Sequence, residues 1–281
     1  MDPSQALRSP SPGLTLSLRH GTASRLCLGL FVAQAILCSA ISVLGVPPLV
    51  NPRWPGVALL VLASASSLIS LCRWLPWQNV LSSAALIGVL GTLIECLATN
   101  GSHLMEPAST GGPSAISLWP LALVWILAVL NCRGVARLVL QRWRTQPNYG
   151  FLLLGLTAVL VVTLIESFLR FGSGLFPAVA HVSPGSAGPA ARSVVYRLLG
   201  SGIVLLAATP YLINKRPVPQ PVDWHPLILW GALNGWLFAV ALVKKDWGGA
   251  GLLLLEVPGA AGFAWVSSRQ HQPSGKQTVS V

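Results

Sequence analysis

The sequence predicts an all-α fold, a polytopic transmembrane helical bundle of about eight spanning helices, with seven as the alternative count. Three observations predict it. Only 9% of the 281 residues are charged while 53% are hydrophobic, whereas an ordinary soluble domain carries about 25% charged residues. The mean hydropathy is +0.67, which excludes disorder for all but the tails. Finally, about eight stretches approach the ~20 apolar residues that a helix needs to cross hydrocarbon, where only internal hydrogen bonds satisfy the backbone.

The first stretch, Leu26 to Leu44, lies between the basic prelude Arg8, Arg19, Arg25 and the helix-ending Gly45-Val46-Pro47-Pro48. Cys38-Ser39-Ala40 has the small residues of a signal-peptide cleavage site, but a retained helix is the reading adopted. The second, Gly56 to Leu71, is short and closes before Arg73. The third, Val80 to Ala98, meets Asn100-Gly101-Ser102, which breaks the helix and also has the form of a glycosylation sequon. After Gly111-Gly112-Pro113 comes the fourth, Ile116 to Leu130, which continues as helix beyond the apolar run. The fifth, Phe151 to Leu169, precedes the longest loop, Arg170 to Ser193, whose Gly, Ser, Pro and Ala read as a connector. The sixth, Val194 to Ile213, stops before Pro217-Val218-Pro219-Gln220-Pro221. The seventh, Pro226 to Val243, opens on a proline, which a first turn tolerates. The eighth, Gly248 to Val266, contains Glu256 and Pro258, and this interruption keeps seven spans open. Residues 1–24 then form a cytoplasmic tail, 25–266 one transmembrane domain and 267–281 a disordered tail.

The net charge of +11 is a topology signal and not a nucleic-acid footprint, because the basic residues are scattered between apolar runs. With eight spans, the N-terminal arginines, Arg73, Arg133, Arg137, Arg142, Arg144, Lys215, Arg216, Arg269 and Lys276 fall on one side. Arg53, Arg170, Arg192, Arg197, Lys244 and Lys245 fall on the other. The richer side is expected to be cytoplasmic, in a multi-pass cell-membrane protein with both termini inside. Trp54, Trp74, Trp77, Trp119, Trp143, Trp224, Trp247 and Trp265 lie near predicted helix ends, where the amphipathic indole belongs. The five cysteines, Cys27, Cys38, Cys72, Cys96 and Cys132, show no CxxC and no metal-type spacing with histidine, so neither disulfide nor metal is inferred. His20, His103, His181, His225 and His271 have no ligand partner at useful spacing.

Charge inside hydrocarbon costs about 2.5–3.5 kcal/mol or more, so three acids stand out. Glu95 and Glu166 lie near the ends of the third and fifth spans, about one turn below the same face. A carboxyl partly removed from water can stay protonated and act as a general acid. The alternative is that both reach the interface or pair locally, and Arg170 stands one turn after Glu166. Glu256 lies nearer mid-span, where it either binds substrate or makes a structural hydrogen bond. Arg133 and Arg137, one turn apart, form a basic stripe able to hold a lipid phosphate or a carboxylate.

Asn131-Cys132-Arg133-Gly134-Val135-Ala136-Arg137-Leu138-Val139-Leu140 resembles the Asn-Ser-Arg-Ala-x-Ala-Arg-Leu-x-Leu signature of the integral-membrane carotenoid biosynthesis proteins that include the acyclic carotenoid hydratases. Leu93-Ile94-Glu95, Ile165-Glu166-Ser167-Phe168, Ala208 to Pro217 and Asp223 to Leu227 resemble further segments of that family, so the similarity runs from Gly91 to Val243. The chain departs from the family's aromatic Gly-rich loop at Asn100 to Pro113, and from its Trp- and Tyr-rich stretch at Gly172 to Arg192. The resemblance implies a lyase-type hydratase that adds water across the terminal C=C of an acyclic carotenoid. Glu95 and Glu166 would be acid and base; Asn131, Arg133, Arg137 and Glu256 would contact substrate. It implies no redox cofactor or metal. The partners implied are membrane lipid, an apolar polyene (carotenoid) substrate and other carotenoid-pathway enzymes, and no nucleic acid.

Overall fold

The computed structural model describes residues 12–44, 53–98, 119–171, 187–213 and 223–269. They form eight α-helices: α1 (Pro12–Leu44), α2 (Arg53–Cys72), α3 (Trp77–Ala98), α4 (Trp119–Val139), α5 (Tyr149–Phe171), α6 (Ala187–Leu212), α7 (His225–Val243) and α8 (Trp247–Arg269). A single 3-10 turn, Gln141–Trp143, follows α4. Among the described residues no strand occurs, and each of the eight helices is long and apolar enough to cross a membrane. The chain is thus an all-α polytopic bundle.

The eighth span is one continuous helix despite Pro258 in its interior; a proline there removes one ladder hydrogen bond without ending a helix whose neighbours hold it. The alternative of seven spans falls away. Helix α1 begins at Pro12 and α8 ends at Arg269, so both outrun the apolar stretches expected from Leu26 and to Val266, because hydropathy detects the part in hydrocarbon and not the polar turns that extend it. The sequon at Asn100, the Gly111-Gly112-Pro113 break, residues 172–186 of the long loop, Lys215, Arg216 and Lys276 lie outside the described residues.

Helix α4 is the hub, packing against α2, α3, α5, α7 and α8. It buries Val124, Trp125, Leu127 to Cys132, Val135 and Ala136, so its apolar surface goes nearly all the way round, the pattern of a helix enclosed by others. Close crossings use glycine: a Cβ on Gly134 of α4 would sit 2.6 Å from Pro226 of α7, and one on Gly91 of α3 would run into the Trp125 ring. Small residues drive such contacts because lipid tails compete equally for larger apolar side chains. Trp77, Trp119, Trp247 and Trp265 are exposed near helix ends, while Trp125, Trp230 and Trp236, which the sequence does not place at ends, are fully buried.

Consecutive helices alternate in direction, which sorts the polar contacts into two ends. At the basic end, Arg133 Nη1 of α4 donates to Thr209 Oγ1 of α6 at 3.0 Å, and Ser267 of α8 donates to the Val139 carbonyl at 2.9 Å. There too, Ser66 Oγ of α2 meets His225 Nε2 of α7 at 3.0 Å. At the opposite end, Lys244 Nζ donates to the Arg170 carbonyl at 3.1 Å, and Gln34 Nε2 of α1 donates to the Pro55 carbonyl at 3.2 Å.

Candidate functional site

Helix α3 buries Val80, Ala84, Ile87, Gly88, Gly91 and Glu95 in one stripe at helical spacing. Glu95 therefore ends a core-facing row and cannot point to lipid. Helix α6 carries a matching stripe, Arg197, Ser201, Val204, Leu205, Ala208 and Leu212. Where the two stripes meet, Gly200 stands one turn beyond Arg197, and a Cβ on it would come within 2.6 Å of Ile94. This near contact of backbone and side chain draws α3 and α6 together so that the guanidinium reaches the carboxyl.

Arg197 Nε lies 3.1 and 3.0 Å from the two oxygens of Glu95, and Nη2 also donates to Oε1. The second fork, Nη1, donates to Glu166 Oε1 of α5 at 2.5 Å and to Ser193 Oγ at 3.3 Å. The side chains of Glu95 and Arg197 are 0% and 3% exposed, whereas that of Glu166 is 38% exposed. One guanidinium thus serves two carboxyls drawn from 102 and 31 residues away in sequence. The planar fork of arginine suits this double duty, which an ammonium group would not match. Two carboxyls thus face one cation, and Glu166, half-exposed and bonded to the guanidinium through one oxygen, keeps its second oxygen available.

The expected local partner of Glu166 is corrected by this geometry. Arg170, one turn on, turns away across the bundle end and its Nε pairs with Asp246 at 2.5 Å. The interaction across helices takes the cation that the one-turn spacing would have offered to Glu166. Arg197 is the residue that sequence reasoning missed: it enters the topology count as one cation of the less basic side and not as a site residue. The signal was present, since Arg197 lies inside the sixth apolar run and begins a row of inward positions at helical spacing.

The remaining expected site residues do not join the triad. Asn131, Arg133 and Arg137 line a cavity at the basic end, about three turns, roughly 18 Å, along α6 from Arg197. Asn131 is 2% exposed; with its amide oriented to match its neighbours, Nδ2 donates to the Pro226 carbonyl at 2.9 Å and Oδ1 accepts from the Trp230 N–H at 3.3 Å. Its first role is to tie α4 to the start of α7. Glu256 belongs to neither group: its Oε1 accepts from Thr163 Oγ1 at 2.9 Å, the structural alternative. Carboxyl pair and basic stripe are thus two places, not one pocket. His225 is buried against Ser66, and its backbone N–H donates to Asp223 Oδ1 at 3.1 Å, which opens α7. Compared with models of protein families, with curated proteins and with solved structures, the chain matches none.

Proposed function

We propose that the protein is a membrane enzyme that uses the Glu95–Arg197–Glu166 triad as an internal proton donor for an apolar substrate dissolved in the bilayer. The reading rests on one observation, the two carboxyls sharing a single buried guanidinium. Glu95, bound by both Nε and Nη2, is the counter-charge of the arginine; Glu166, at the exposed edge of the triad, is the proposed proton donor. Hydration of the terminal double bond of an acyclic carotenoid, the reaction implied by the family resemblance, suits such a donor. Glu166 gives its proton to the CH carbon of a trisubstituted alkene, forming a C–H bond and leaving a tertiary cation. A water oxygen then bonds to the cation and returns one proton to the Glu166 carboxylate. Alkene plus water becomes a tertiary alcohol, and the acid is regenerated.

The test is expression in a host that accumulates lycopene, with mass analysis of the extracted pigment. A product heavier by one water, lost in Glu166→Gln while the protein stays folded in the membrane, is expected. Unchanged pigment with the native chain, or undiminished product with Glu166→Gln, overturns the reading. A second reading, proton-coupled transport, is favoured by the presence of polar sites at both ends of the bundle. It predicts pH-dependent flux into vesicles with no chemical change in the solute.

A further inference from the structure

The cavity at the basic end is used by none of the chemistry above. It has a volume of about 610 Å³, within the ~300–1,000 Å³ of ligand sites, and it is enclosed by α2, α4, α5, α6 and α7. Its lining is divided. Arg133, Arg137, Arg144, Tyr149 and Thr209 stand toward the bundle end. Leu130, Leu153, Leu154, Thr157, Leu205 and Leu206 continue inward, about two turns or 12 Å deeper along α5.

Two further observations narrow the occupant. Arg133 takes part in none of the ion pairs among the described residues, such as Arg170 with Asp246 and Arg197 with Glu95 and Glu166. Arg133, half-buried, therefore faces the cavity with only the Thr209 hydroxyl as its bonded partner, and most of its five N–H donors are left over. Asp223, the acid in the lining, is already engaged by the Ser70 hydroxyl at 3.4 Å and by the His225 N–H. The second observation concerns access. Leu206 lines the cavity and is itself 63% exposed, so the apolar half is not sealed on its α6 side.

The geometry points to a binding site for an amphiphile with a phosphate head and a hydrocarbon tail. The head is held by Arg133 and Arg137, whose forked donors match phosphate oxygens, and the tail lies along Leu153, Leu154, Leu205 and Leu206. The inference does not depend on the triad, which lies at the other end of the helices.

The experiment uses the full chain in dodecyl maltoside, a detergent without phosphate, with binding read by native mass spectrometry and by thermal unfolding. Three probes are compared: dodecyl phosphate, dodecanol and inorganic phosphate. Dodecyl phosphate is expected to bind saturably and raise the midpoint, and to bind at least about tenfold more weakly to Arg133→Gln. Arg133→Lys recovers part of the loss. The variant Arg137→Gln, at an exposed position, is expected to weaken binding in the same direction should Arg133→Gln fail to fold. Equal binding of inorganic phosphate would overturn the proposal in favour of a free-anion site, and equal binding of dodecanol would reduce the cavity to an apolar one. Unchanged affinity in both Arg133→Gln and Arg137→Gln would remove the basic residues from it altogether.

Discussion

Arg197 illustrates what a single buried cation does in a bundle with so few charges. Removing it leaves Glu95, fully enclosed, with its counter-charge gone, and breaking a buried pair from one side costs about 3–5 kcal/mol. Arg197→Met is therefore expected to lower stability by that amount, measured as the loss of thermal midpoint or of resistance to denaturing detergent. The triple change Glu95→Gln, Glu166→Gln, Arg197→Met removes all the charge at once and should recover most of the loss, since apolar or neutral replacement of a whole buried network is often close to neutral. If the triple variant is no better than the single one, the triad's role is shape and not charge balance. The two acids were legible in the sequence because a carboxyl in an apolar run is conspicuous. The arginine was not, because a cation at the edge of a span beside a polar loop looks like an ordinary topology signal. The direct one-turn pairing of Glu166 with Arg170 was the wrong inference for a related reason: spacing along one helix shows which side chains can meet, not which partner on another helix outcompetes them.

At the scale of elements, the apolar runs mark the helices and many of their C-terminal ends, Leu44, Ala98 and Val243 among them, but not the contacts that make an end. The turn between α7 and α8 shows what decides an end. Asp246 N–H donates to the Ala241 carbonyl and Lys245 N–H to the Leu242 carbonyl, both at 3.0 Å, which is the paired closure of a Schellman motif. Asp246 Oδ1 then accepts the Gly249 N–H at 3.1 Å and caps α8. The residue at the left-handed position is Lys245, with φ of 58°, where glycine is the usual occupant. Lysine bears the strain of its Cβ there. Lys245→Gly is expected to stabilise the protein by about 1 kcal/mol, because relief of the left-handed penalty exceeds the added freedom of the unfolded chain. Asp246→Ala should cost about 1 kcal/mol through the lost cap alone, and more if the Arg170 pair contributes. Thermal unfolding of the two variants checks both signs. None of this could be read from Val243-Lys244-Lys245-Asp246, which has no glycine or proline to announce the turn.

The whole molecule carries a marked asymmetry between its two ends. Arg73, Arg133, Arg137, Arg142 and Arg144 gather at the basic end, where Asp223 is the acid found among the cavity-lining residues. Two of the six cations counted at the opposite end are neutralised within the protein, Arg197 by two glutamates and Arg170 by Asp246. Overall charge counting had treated these cations as equal to those of the basic end, yet a paired arginine presents little net charge to the membrane field. The difference between the ends is thus larger than the residue counts indicate. Lysine and arginine near span ends set orientation, and an anionic inner leaflet attracts them further, by about 1 kcal/mol for each. The basic end is therefore expected to be cytoplasmic, and α1 and α8, which start and finish at that end, take both termini with them. A fluorescent protein fused after Val281 should fluoresce in a bacterial host, while alkaline phosphatase at the same position should be inactive. The opposite pair of results would place the triad on the inside and the phosphate-facing cavity on the outside. Changing Arg142 and Arg144 together to Glu weakens the same bias at positions outside every helix contact of the triad, and an orientation set by charge should become mixed in that variant.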